Sequence, residues 1–303
     1  MLQVNRNVLR LFAVAIMFGS IYWCRSAEPS YSIPLNSSSL ITSDTNRAKA
    51  FIKSGTAKLK NNDSKGAISD YTEAIRLDPK AADAYFFRGL LKFVLEDKYG
   101  AISDYTEAIR LNPDNPFPYL DRGRAKFDLG DYKGAIADLT QAIRLNPKND
   151  FAYYLRGSVK SILEDKYGAI TDYTEAIRIK PNEARGYLTR GGTKYKLGDY
   201  QGAIADLTQA IRLNPKNDFA YYLQGNAKSK LEDKYGAIAD LSEAIRLNPN
   251  YAAAYVSRGN AKFALGDKQG TLRDFQEAAR LFQEQGDTST YRKVQDLIRN
   301  LER

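Results

Sequence analysis

The chain has 303 residues, 43% of them hydrophobic and 12% aromatic, which suits packed cores rather than a disordered polymer. It has no histidine and one cysteine, Cys24, so a Ser-His-Asp or Cys-His couple, a zinc site of the usual ligands and an internal disulfide are all excluded. The net charge of +9 favours acidic partners, nucleic acid or anionic lipid head groups.

In chain order, Arg6 and Arg10 precede an apolar run from Leu11 to Trp23. Thirteen residues make a helix of roughly 20 Å, short for a bilayer core of about 30 Å. Residues 1–27 therefore read as a signal peptide, with cleavage after Ser26 or Ala27, or as an uncleaved N-terminal membrane anchor attached through residues 8–24. The localisation that follows is export, to the periplasm or cell envelope of a bacterium, with a membrane-anchored form as the alternative. Residues 28–47 are rich in Ser, Pro and Asn and read as a flexible linker.

From residue 48 one period governs. Glycine recurs every 34 residues at Gly89, Gly123, Gly157, Gly191, Gly225 and Gly259, alanine at Ala101, Ala135, Ala169, Ala203 and Ala237, and proline at Pro113, Pro147, Pro181, Pro215 and Pro249. Seven units follow: 48–81, 82–115, 116–149, 150–183, 184–217, 218–251 and 252–285. A fixed period of this size marks a stacked array. Each unit reads as two helices. In 131–145, Ala135, Ile136, Leu139, Ala142 and Ile143 share one face, Asp131 is placed as an N-cap, and Asn146-Pro147 ends the helix. The glycine inside the first helix of each unit implies close helix approach, with the Ala142 series as the facing recess. Residues 286–303 read as a capping helix, with Tyr291, Val294, Leu297, Ile298 and Leu301 on one face.

The pattern of Tyr119, Gly123, Ala135, Ala142 and Pro147, repeated in register over residues 48–285, resembles the tetratricopeptide repeat (TPR). The resemblance implies an all-α fold, an α-solenoid built as a right-handed superhelix of antiparallel helix pairs. It also implies a concave groove lined by the first helix of each unit. Carried onto this chain, the groove positions are Phe86, Phe93, Phe117, Leu120, Phe127, Phe151, Tyr154, Leu188, Tyr195, Phe219, Tyr222 and Phe263, with Phe86, Tyr154 and Tyr222 leading. Some of these aromatic positions serve equally well as inter-repeat core. Family members that hold chaperone tails place lysine and asparagine in the groove, whereas Ile52, Phe86, Leu120 and Tyr154 stand at the corresponding places here.

Arg88, Arg122, Arg156, Arg190 and Arg258 precede the glycine, and a lysine four residues later recurs in all seven units. An aspartate recurs on the second helix (Asp70, Asp104, Asp138, Asp172, Asp206, Asp240, Asp274) and is expected to pair with them. Arg76, Arg110, Arg144, Arg178, Arg212, Arg246 and Arg280 close the second helices, where a cation suits the helix C-terminus. Residues 134–155 and 202–223 are identical, so the array has grown by pairs of units. No acidic pair breaks the period as a catalytic dyad would. The functional expectation is a non-enzymatic protein–protein interaction scaffold that takes a protein or peptide segment in the groove, with no cofactor, no metal and no catalytic residue. The alternative is an anion-binding surface contacting RNA or acidic lipid through the periodic Arg and Lys, which an export signal disfavours for nucleic acid.

Overall fold

The computed structural model describes residues 38–302, so the export or anchor segment expected at 1–27 lies outside the described residues. Fifteen helices among the described residues make seven antiparallel pairs and one further helix. They are α1 (Ser38–Lys60), α2 (Ser64–Leu77), α3 (Ala82–Val94), α4 (Lys98–Leu111), α5 (Pro116–Asp128), α6 (Tyr132–Leu145), α7 (Asp150–Ile162), α8 (Lys166–Ile179), α9 (Ala184–Leu197), α10 (Tyr200–Leu213), α11 (Asp218–Lys230), α12 (Lys234–Leu247), α13 (Ala252–Phe263), α14 (Lys268–Glu284) and α15 (Thr288–Glu302). No described helix is long and apolar enough to cross a membrane.

The chain divides into two compact units, the first ending at Lys148 and the second starting at Asn149. Within each, a helix packs on its sequence neighbours, and first helices also meet across one repeat: α3 with α5, α9 with α11, and α11 with α13. That is the packing of a stacked array, in which each element touches only nearby ones.

The helix starts follow from their aspartates. Asp63, Asp97, Asp131, Asp165, Asp199, Asp233 and Asp267 each accept a bond from the backbone N–H three residues on, satisfying a donor the helix leaves open. The composition of residues 38–47 had suggested a linker, yet α1 already begins at Ser38. The Asp44–Arg47 ion pair one turn apart and the burial of Ala48 anchor that stretch as helix.

Close approach of the paired helices is real, but its partner differs from the expected Ala142 series. A Cβ on Gly123 would stand 3.0 Å from Leu139 Cγ, 3.3 Å from Ala135 O and 3.3 Å from Asp138 Cβ. The large side chain at the Leu139 register, Tyr71, Tyr105, Leu139, Tyr173, Leu207, Leu241 or Phe275, fills the core of each pair, and the glycine makes room for it.

The aspartate series forms a buried ladder. Arg88, Arg122, Arg156, Arg190 and Arg258 each clasp the aspartate 16 residues on with two bonds, as Arg122 does Asp138 at 2.8 and 2.7 Å. The lysine four residues later meets the same carboxylate, at 2.8 Å for Lys126 and Asp138. The arginine also reaches back to the preceding repeat: Arg88 donates to Thr72, Arg122 to Thr106, Arg190 to Thr174 and Arg258 to Ser242. One side chain therefore sets both the angle within a pair and the register between pairs. Helix α15 lays Val294 and Ile298 on Phe275, Ala278 and Ala279 of α14, covering the apolar face of the last pair.

Candidate functional site

The twelve groove positions meet three fates. Phe86 and Leu120 are core: Phe86 is 4% exposed, packed with Ala101, Tyr105 and Ala108, and Leu120 is 5% exposed. Neither can meet a ligand, which corrects the expectation for both. Phe86 lies over Tyr105, with ring centroids 6.1 Å apart, and is sealed by that contact.

A second group is occupied by the protein itself. Phe93 lies beneath the Arg124 guanidinium at 4.8 Å, Phe117 packs on Phe86, and Phe127 on Tyr132. Phe151 and Tyr154 stack on each other with centroids 6.1 Å apart, and the Arg185 guanidinium sits 5.1 and 5.2 Å from the two rings.

The third group borders open space, although Tyr195 also packs on Tyr200 with ring centroids 5.5 Å apart, and four of its members converge. Leu188 and Tyr195 of α9 and Phe219 and Tyr222 of α11 line a recess of about 380 Å³ in the second unit, with Ser161 of α7 and Tyr173 of α8. Thr189, Gly192, Thr193, Lys196, Leu223 and Asn226 complete it. Phe263 stands apart, 61% exposed, beside a smaller opening with Gly266, Lys268, Asn300 and Leu301.

The register explains why this recess is open. Gly192 and Ser161 stand 68 residues after Arg124 and Phe93, so the pair that closes the equivalent place in the first unit is absent here. At Gly192 the nearest outside atom to a Cβ is Leu223 Cδ1, at 3.5 Å, which leaves the floor free of side chain.

The lining is apolar with sparse polar groups. Thr189 and Thr193 hydroxyls donate to backbone carbonyls of their own helix, to Arg185 and to Thr189. Tyr173 donates to Ser158 at 3.3 Å, and burial pushes its phenol up to about 12 against the opposing effect of that bond. Burial also raises Tyr195. Both rings stay neutral at physiological pH. The Asn226 amide makes no hydrogen bond among the described residues and is free to pair with a ligand. Among the described residues no carboxylate lines the recess, and Lys196 is the one charged side chain.

Sequence reasoning missed the small and polar half of the lining. Two signals marked it. Gly192 follows Gly191 where every other repeat has a side chain, and Ser158/Asn226 is one of five differences between 130–170 and 198–238.

The periodic arginines of the second helices are engaged. Arg76, Arg110, Arg178, Arg246 and Arg280 pair with Glu73, Glu107, Glu175, Glu243 and Glu277 one turn back. Arg144 and Arg212 donate to Gln141 and Gln209.

Stacked helix pairs with an open apolar recess on their first helices define a class of protein-interaction module. The TPR repeat family model matches residues 123–160 and 191–231, and tetratricopeptide repeat models match 52–116, 152–183 and 220–251. The chain belongs to the tetratricopeptide-repeat family. Its fold is shared with YrrB, described as a TPR protein with an unusual peptide-binding site, at 22% identity and a TM-score of 0.56 over 61% of this chain and 95% of that one. It is shared also with a tetratricopeptide repeat protein from Parabacteroides merdae, at 18% and 0.58 over 85% and 100%. Pseudomonas aeruginosa PilF matches at 19% and 0.59 over 68% and 94%. No curated protein matches the chain.

Proposed function

We propose that the protein is a non-enzymatic scaffold that binds a segment of a partner protein in the recess between α9 and α11. The observation that carries this is the convergence of Leu188, Tyr195, Phe219, Tyr222 and Leu223 around an unfilled floor at Gly192. Rigid aromatic anchors lose little entropy on binding, and a few polar groups fix orientation. Asn226 supplies such a group, with a donor and an acceptor to offer a peptide backbone. The likeness to a peptide-binding TPR protein agrees with this use of the fold. Five of the seven arginines that would build a phosphate-binding stripe pair with their own glutamates, and Arg144 and Arg212 donate to glutamines, so the anion-binding alternative has less to support it.

The test is selection of random displayed peptides on the full chain, repeated on Gly192→Arg. That substitution brings back the side chain of Arg124, and Gly192 has room for a Cβ. Binders recovered on the wild type and lost on Gly192→Arg support the recess. Failure to recover any binder, or binding indifferent to the substitution, overturns it. Export rests on residues 1–27 and is part of the same proposal. N-terminal sequencing of the mature protein should begin at Ala27 or Glu28, and an intact Met1 would reject cleavage.

A further inference from the structure

The duplicated stretch NDFAYYL occurs at 149–155 and 217–223 and does two different things. In the first copy, Asp150, Phe151 and Tyr154 hold a cation from this chain. Arg185 donates to Asp150 Oδ2 at 2.9 Å and lies against both rings, while Lys180 meets Asp150 Oδ1 at 3.0 Å. Asp150 is 6% exposed beneath them.

In the second copy, Asp218, Phe219 and Tyr222 repeat the arrangement. The rings stack with centroids 6.2 Å apart and planes at 24°, against 6.1 Å and 18° in the first copy. The cations are missing. Ala253 stands where Arg185 would be, and Asn248, where Lys180 would be, donates to Asp218 Oδ2 at 2.8 Å. Among the described residues no cation lies within ion-pair distance of Asp218. Its side chain is partly exposed, and Phe219 is 46% exposed. Tyr251 takes the register of Glu183 and brings a third ring to within 4.8 Å of Tyr222. A carboxylate without a counter-charge among the described residues, with three rings on the same rim, suits a cation, and the Asn248 amide takes only one oxygen of Asp218.

We infer that Asp218, Phe219, Tyr222 and Tyr251 form a subsite for the guanidinium of an arginine carried by the partner segment. In the first copy three of these side chains, Asp150, Phe151 and Tyr154, hold that group, and Tyr251 has no counterpart there. A planar guanidinium can lie on two stacked rings and still donate to a carboxylate, whereas an ammonium is a hydrated point charge without a flat face. Phe219 and Tyr222 also line the recess, so the arginine sits next to the residue that fills it. The inference deepens the peptide-binding reading and rests on it for the source of the arginine.

The experiment is an NMR titration of the full chain, following the ring resonances of Phe219, Tyr222 and Tyr251. The probes are Nα-acetyl-arginine amide and its lysine and citrulline counterparts. Arginine should give saturable shifts, lysine should bind about fivefold more weakly or worse, and citrulline, which keeps the shape without the charge, should give none. Ala253→Arg rebuilds the first copy's arrangement. It should move the resonances toward their bound positions without ligand and abolish the response, and Asp218→Asn should weaken arginine binding about tenfold. No shifts with arginine, or equal shifts with citrulline, overturn the subsite. Shifts that appear without ligand and grow with protein concentration would assign the arginine to a second copy and overturn the partner assignment. The peptide selection fails or succeeds separately, since Gly192→Arg closes the recess and leaves Asp218 and its rings in place.

Discussion

At the residue scale, two aspartates on the paired helices of one repeat illustrate opposite uses of a buried carboxylate. Asp138 is clasped by Arg122 and Lys126, so burying its charge is compensated. Asp138→Asn leaves two half-buried cations without a counter-charge and should cost about 2–4 kcal/mol in urea unfolding. A loss indistinguishable from zero would make the ladder ornamental. Asp121 has no ion pair among the described residues, and burial raises its pKa to about 6, with the Arg124 charge opposing. The sign follows from the charged form being disfavoured in the fold. Relative to an unfolded value near 3.9, the penalty is present at pH 7 and fades as pH falls through about 6 toward 4, by about 2–3 kcal/mol. Leu155 and Leu223 occupy the same register, so Asp121→Leu should fit. It should raise the melting temperature at pH 7.5, and the difference from wild type should shrink at pH 5. An unchanged difference at the two pH values would mean that Asp121 is solvated.

At the element scale, the alternation of units appears in the turn between paired helices. Gly130, Gly198 and Gly266 take φ of 82°, 85° and 79°, while Glu96, Glu164 and Glu232 take 66°, 62° and 64° at the same register in the intervening units. A side chain at positive φ is strained. Glu96→Gly should therefore gain about 0.5 kcal/mol after the entropy glycine loses on folding is subtracted. A thermal shift downward would show that the glutamate contributes something the backbone does not reveal. The ladder has its own irregularity at α11, where Gln224 replaces the arginine. In the amide orientation that satisfies both neighbours, Gln224 donates to Asp240 at 3.1 Å and accepts from Thr208 at 2.6 Å. Burial, only partly offset by the Lys228 hydrogen bond, raises Asp240. Gln224→Arg should restore the clasp, lower that pKa and stabilise by about 1–2 kcal/mol. No gain, measured by urea unfolding at neutral pH, would mean that this joint has no room for the guanidinium.

At the scale of the whole molecule, the period made the helices legible because each repeat states the same apolar spacing, cap and stop. Seven statements of one pattern leave little doubt about a helix pair. The site was legible only in part, for the reason that repeats are legible: identical letters. Phe151 and Phe219 sit in the same heptapeptide, yet one is covered and the other open. The difference lies at Arg185 and Ala253, 34 residues further on in each case. Phe86 and Tyr222 share a register too, yet Phe86 is core and Tyr222 lines the recess. A recess is a property of neighbours, so periodicity alone could not separate them. The same locality governs stability, because each helix packs mainly on adjacent ones and the ladder reaches back by a single repeat. Asp206→Asn removes the counter-charge of Arg190 and Lys194. In native-state hydrogen exchange it should speed the amides of α9 to α12 and leave those of α1 to α4 at their wild-type rates. Uniform acceleration along the chain would show instead that the array opens as one cooperative body, and that its repeats are separate in sequence but not in free energy.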